Sequence, residues 1–97
     1  MSDSEHKYEA KRSSRFKRGI KLMVARGENL KELTDVVDEL LKGNVLDEKY
    51  KDHNLKGKMK NYNECHIKPD WLLVYRVYER EKLIGFVSTG THSDLFG

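Results

Sequence analysis

Imidazole is the side chain that both gives and takes a proton near neutral pH. Three of the four histidines in this sequence, His53, His66 and His92, fall in or beside segments that read as loops at the ends of strands. His66 belongs to the stretch Glu64-Cys65-His66-Ile67-Lys68-Pro69-Asp70-Trp71, where an imidazole, a carboxylate, an indole and the chain's only proline crowd together. Pro69 fixes its own φ and biases Lys68 toward extended conformations, so the stretch reads as a tight connection between strands. Such a turn would hold His66, Asp70 and Trp71 at one edge of a sheet, facing His53 and His92. A loop histidine by itself is ordinarily a surface polar group. Three of them with a nearby carboxylate make a candidate acid–base site.

Other chemistries fit less well. A metal centre would draw on His53, His66 and His92 with Cys65 or Asp70. The spacing matches no compact zinc pattern, and the adjacent Cys65 and His66 would point to opposite faces of a strand. Nothing around Ser88 or Ser93 resembles a nucleophile elbow, and Cys65 lies beside a strand rather than at a helix N-terminus. No phosphate-binding glycine loop is present.

The elements that must carry these groups come in two halves. Lys7 to Ala10 could form a short edge strand. Ser13 or Ser14 can cap a helix on which Phe16, Ile20, Met23 and Val24 make an apolar stripe. Gly27 breaks that helix. A second one follows, with Leu30, Leu33, Val36, Val37, Leu40 and Leu41 on one face and Gly43 as its C-terminal stop. The short glycine-containing link predicts a helical hairpin. Its second helix is too apolar and acidic for a major-groove recognition role. Gly43 to Leu55 reads as a connecting segment. Lys58–His66, Trp71–Tyr78 and Leu83–Thr89 read as three consecutive antiparallel strands, and 93–97 as a plain end. The order predicts an α+β fold, with both helices on one face of a small, mostly antiparallel sheet.

Ninety-seven residues suit one domain over 1–97 with a modest core and a loose tail over 1–6. The single cysteine excludes an internal disulfide and fits a reducing cytoplasm. No apolar run reaches transmembrane length, and Met1 to His6 lacks a signal-peptide layout, so no membrane partner is expected. The net charge of +3 is unevenly spread. Lys7 to Arg26 carries eight basic residues against Glu9 alone, and Lys49 to Lys60 carries five lysines against Asp52. The segment between them is acidic. Such polarity suits a polyanion on one side, or the solvated faces of ordinary elements.

Three blocks carry a resemblance. Tyr50-Lys51-Asp52-His53-Asn54-Leu55-Lys56-Gly57, then Glu64 to Tyr75, then Thr89-Gly90-Thr91-His92-Ser93-Asp94-Leu95-Phe96 resemble YafQ-type toxins of the RelE superfamily of type II toxin–antitoxin systems. The blocks keep the family order and cover roughly the second half of the chain; the helical half agrees in layout only.

The resemblance implies a RelE-like fold and an endoribonuclease that cuts messenger RNA in the decoding site of the bacterial ribosome without a cofactor or metal. The substrate's own 2′-hydroxyl would attack the adjoining phosphate. It also implies a cognate antitoxin, through which the complex would bind operator DNA. Positions matching His53, His66, Asp70 and His92 would be catalytic, with His53 assisted by Asp70 as base, His92 as acid and His66 orienting or contacting phosphate. Trp71 and Phe96 would hold RNA bases, and Lys56 and Lys60 would lie against the substrate. Two positions depart from the pattern. Ser88 stands where the family carries an arginine before Thr-Gly-Thr-His, and Asn63 replaces another. Either Lys56, Lys60 or Arg76 supplies the missing charge, or the activity is weakened. A non-catalytic module that binds the ribosome, RNA or antitoxin is the alternative reading.

Overall fold

The computed structural model describes residues 6–97. Its elements are strand β1 (Glu9–Arg12), helices α1 (Ser14–Ala25) and α2 (Leu30–Leu41), strands β2 (His53–Asn54), β3 (Asn63–Lys68), β4 (Trp71–Tyr78) and β5 (Leu83–Gly90), and helix α3 (His92–Phe96). The five strands form one sheet in the order β1-β5-β4-β3-β2. β1 runs parallel to β5, and the other neighbours are antiparallel. The fold is α+β, as expected.

Ser13 explains how α1 starts and where it sits. Its hydroxyl oxygen accepts from the Phe16 N–H, and the same hydroxyl donates to the Val87 carbonyl at 2.6 Å, so the cap is also a rivet to β5. Phe16 and Met23 are buried beneath the helix, with Ile20 packed against the core. Val24 departs from the expected stripe and is 46% exposed, because it lies at the stripe's edge, well around the helix from Met23. Gly19 lets the helix lie on the end of β5, since a Cβ there would come within 2.2 Å of the Thr89 carbonyl oxygen. Asn29 caps α2, and Gly43, at φ +82°, closes it. Leu33, Val36, Leu40 and Leu41 are buried, whereas Leu30 at the first turn is exposed.

These helical residues meet one face of the sheet, made by Cys65, Ile67, Trp71, Leu73, Tyr75, Ile84 and Phe86. The strand period then turns Glu64, His66, Leu72, Val74 and Ser88 to the opposite face, where the cross-strand pairs Glu64–Val74, His66–Leu72 and Val74–Ser88 sit.

Four expectations change. The edge strand is Glu9–Arg12 rather than Lys7–Ala10, paired in register with Leu83–Phe86. Lys58–His66 is a strand only from Asn63; before that, a 3-10 turn at Gly57–Met59 and a loop closed by the Tyr62 N–H on the Met59 carbonyl take its place. Within the segment read as a connection, β2 adds a short fifth strand, and after Thr91 the chain forms α3 instead of a plain end. The expected tail lies outside the described residues over 1–5; His6 is held at 2.6 Å by Asp38 of α2. Among the described residues, no helix is long and apolar enough to cross a membrane.

Candidate active site

His66 occupies the middle of a row of three imidazoles. Its ring centroid lies 6.3 Å from that of His53 and 5.8 Å from that of His92. β3 supplies His66, the two-residue β2 supplies His53, and the first turn of α3 supplies His92. Segments nearly forty residues apart in sequence are thus brought together by strand pairing and one capped helix.

Each outer histidine has its own carboxylate. His92 Nδ1 lies 2.6 Å from Asp70 Oδ1, and the His92 backbone N–H donates to the same oxygen at 3.0 Å. The backbone donor first, and then the ring, hold the Asp70 carboxyl below its usual range. A carboxylate only accepts, so Nδ1 carries the proton and Nε2 of a neutral ring presents a lone pair. His53 differs. Its Nδ1 is 2.7 Å from the Lys51 carbonyl, and its Nε2 is 3.4 Å from Glu64 Oε1. The Lys51 carbonyl only accepts, so Nδ1 carries a proton, and Nε2 lies beside the Glu64 carboxylate without a hydrogen bond to it. Glu64 is only 7% exposed and projects from β3 directly across from His53.

The supports behind these pairs are local. Tyr75 donates its hydroxyl to Asp52 at 2.7 Å, which pins the segment before His53, and burial pushes that phenol far above its usual range. Thr91 and Asp94 form a reciprocal cap at the start of α3. Arg26 from the end of α1 grips both oxygens of Asp94 at 2.6 and 3.0 Å, and this guanidinium, ahead of the Thr91 N–H, holds the Asp94 carboxyl far below the usual range. Cys65 lies on the buried face next to His66, and desolvation raises its thiol well above the ordinary value, which leaves it inert.

The expected residues are thereby distributed as follows. His53, His66, Asp70 and His92 meet, but Asp70 serves His92 and not His53, whose carboxylate is Glu64. Trp71 is 1% exposed, and its indole N–H donates to Thr89 Oγ1 at 2.9 Å, so the face expected to stack a base is sealed in the core. Ser88, 4% exposed, sits across from Val74 in the sheet, and Asn63 lies across from Asn54. Lys56 and Lys60 are exposed on the β2–β3 loop. Phe96, 58% exposed at the end of α3, is free to stack. Arg76 lies between the rings of Tyr62 and Tyr78, at 5.6 and 4.6 Å. Among the described residues, no three histidine, cysteine or acidic side chains are grouped to hold a metal ion.

A family model described as the bacterial toxin of a type II toxin–antitoxin system, YafQ, matches residues 8–97. The chain belongs to the YafQ family. The mRNA interferase toxin YafQ of Escherichia coli K12 is 36% identical over 86 residues, covering 88% of this chain and 91% of the relative. YafQ in the E. coli DinJ-YafQ toxin-antitoxin complex superposes with a TM-score of 0.85 at 34% identity, covering 94% and 99% of the two chains. A metal-bound toxin from Helicobacter pylori superposes at 0.86 with 43% identity, covering 92% and 99%. The protein is therefore a YafQ-type toxin of the type II class. Two groups of this YafQ-family chain escaped the sequence reading. Glu64 could have been found from its spacing of two from His66, which puts both on one strand face. The Thr91/Asp94 pair could have been found from its Thr-x-x-Asp capping pattern.

Proposed function

We propose that this toxin is an endoribonuclease that enters the decoding site of the ribosome and cuts messenger RNA. It acts in the cytoplasm, and a separate antitoxin, through which the complex would engage operator DNA, holds it in check. The observation that carries this reading is the row of three imidazoles with a different carboxylate at each end. In the reaction, Nε2 of His92, its ring oriented by Asp70, takes the proton from the substrate's 2′-hydroxyl. The freed 2′-oxygen attacks the adjoining phosphorus and the bond to the 5′-oxygen breaks. His53, its Nδ1 held on the Lys51 carbonyl, gives that oxygen the proton from Nε2, the nitrogen beside Glu64, leaving a 2′,3′-cyclic phosphate and a 5′-hydroxyl. The acid and base roles are thus the reverse of the sequence-based assignment, because the carboxylates pair the other way round. His66 stands between the two and faces the phosphate, where charge develops. Phe96 stacks a base near the cut, and Lys56 and Lys60 meet backbone phosphates.

No metal is required for this proton inventory. Expression in growing cells tests it: the unsubstituted chain is expected to arrest growth and His92→Ala to abolish the arrest. Equal arrest by both would overturn the catalytic role.

Ser88 favours a second reading, a chain that binds the ribosome but cuts slowly or not at all. It is a small buried hydroxyl where the family pattern has a cation. Co-sedimentation with ribosomes without message cleavage would support that reading.

A further inference from the structure

Because β2 runs antiparallel and begins only at His53, opposite Glu64, β3 continues past Glu64 without a strand neighbour on its outer side. A groove of about 520 Å³ opens there, between the acidic side of α2 and the turn at Lys49–Lys51, with His66 at one end. His53, His92 and Asp70 do not line it, so it extends the row of histidines rather than repeating it. Its lining combines the apolar surface of Tyr50, Ile67 and Pro69 with the carboxylates of Glu32 and Asp35.

The charges are not equivalent. Lys68 is bound by Glu28 at 2.8 Å and Glu32 at 3.6 Å, and Asp35 is bound by Lys31 at 2.9 Å. Lys49 and Lys51 have no carboxylate partner among the described residues; Lys49 lies 5.1 Å from the centre of the Tyr50 ring. Lys51 also adopts left-handed backbone angles, φ 50° and ψ 43°, which a lysine takes only where its surroundings impose it. Its carbonyl is the one that orients His53. The turn that fixes a catalytic ring thus also presents two unpaired cations to the groove.

We propose that this groove binds the nucleotide adjoining the cut phosphate, with its base on Tyr50 and Pro69, its phosphate at Lys49 and Lys51, and its base edge toward Glu32. The inference rests on the endoribonuclease reading and deepens it. A groove of this size admits one nucleotide, and its mixture of apolar surface, free lysines and acceptors matches the three parts of a nucleotide. Carboxylates only accept hydrogen bonds, so these acids suit the exocyclic amines of adenine, guanine and cytosine. Uracil has no such amine, and its one edge donor, N3–H, is flanked by two carbonyl oxygens that the acids repel. The groove therefore selects against uracil at one position beside the cut.

The test maps message ends from translating ribosomes for the unsubstituted toxin and for Glu32→Gln, Tyr50→Leu and Lys51→Asn, asparagine being a residue that tolerates the left-handed turn. The unsubstituted toxin is expected to disfavour uracil at one flanking position by about five- to tenfold, the scale of one good base-edge contact. Glu32→Gln, a half-buried helix substitution that leaves Glu28 to hold Lys68, is expected to remove that preference. Tyr50→Leu is expected to lower cleavage about tenfold through lost stacking, and Lys51→Asn to lower it severalfold for every sequence alike. Cleavage by the unsubstituted toxin with profiles and rates unchanged in all three variants would overturn the groove assignment and leave the catalytic reading standing. No cleavage by the unsubstituted toxin would overturn the catalytic reading and the groove's role with it.

Discussion

At the scale of single residues, His53 and His92 have unequal surroundings, and the proposed reaction divides acid from base on that difference. Two identical rings in one site acquire different tasks when one faces a single carboxylate and the other lies between a carbonyl and a buried acid. Asp70→Asn removes the acceptor that fixes the His92 tautomer while keeping its size. It is expected to lower the cleavage rate about 10²- to 10⁴-fold, the range of a positioned proton-transfer group. Glu64→Gln, which can donate to His53 Nε2 instead of accepting, is expected to slow departure of the 5′-oxygen. A substrate carrying a 5′-thio leaving group, which needs no protonation, should restore the rate of Glu64→Gln but not that of Asp70→Asn. Equal rescue of both would contradict the division of roles. Ser88 belongs to this scale as well. One preorganised cation at the developing charge is worth about 2.7–4 kcal/mol, so Ser88→Arg is expected to raise single-turnover cleavage up to about 10²- to 10³-fold. An unchanged rate would mean that a cation such as Arg76, on the same sheet face, already serves.

At the scale of elements, α3 is the piece that must be held. Five residues make no stable helix alone, and His92 and Phe96 sit on its first and last positions. The Thr91/Asp94 cap and the Arg26 clasp fix its start to the end of α1. Asp94 is depressed from its usual 3.8, so the clasp contributes stability that is fully present above that value and is lost as pH falls below it toward the lowered folded value. Arg26→Ala is expected to free α3 at neutral pH. Faster hydrogen exchange at the Leu95 and Gly97 amides, with the β4 and β5 amides unchanged, is the measurement that checks it; unchanged exchange in α3 would contradict the clasp. The long elements were legible in the sequence because their periods are clean: Trp71–Tyr78 and the apolar face of α2 lie where the pattern put them. The short ones were hidden for physical reasons. β2 is two residues whose strand character comes wholly from pairing with Asn63 and Glu64. The parallel seat of β1 against β5 is a contact across some seventy residues that no local pattern encodes.

At the scale of the molecule, the sheet divides the protein into a structural side and a reactive side. Helices α1 and α2 and the indole of Trp71 fill one face; His53, His66, His92, Glu64 and Ser88 lie toward the other. Which histidines converge could be read from residue type and family blocks, but their pairing could not. Asp70 follows His66 by four residues, yet the turn at Pro69 sends it to His92, twenty-two residues further on. Trp71 shows the same limit: an aromatic next to a site residue looks like a stacking platform until strand alternation turns it inward. Under the proposed function, the basic residues of α1 and of the β2–β3 loop would meet ribosomal RNA by charge alone, and ribosome binding is then expected to weaken as salt rises. The most direct test of the whole is single-turnover cleavage of a synthetic message on purified ribosomes, with the product ends identified. The unsubstituted toxin is expected to leave a 2′,3′-cyclic phosphate and a 5′-hydroxyl at one site, and His92→Ala to leave the message intact. A 5′-phosphate end, or undiminished cutting by His92→Ala, would contradict a reaction run by these imidazoles.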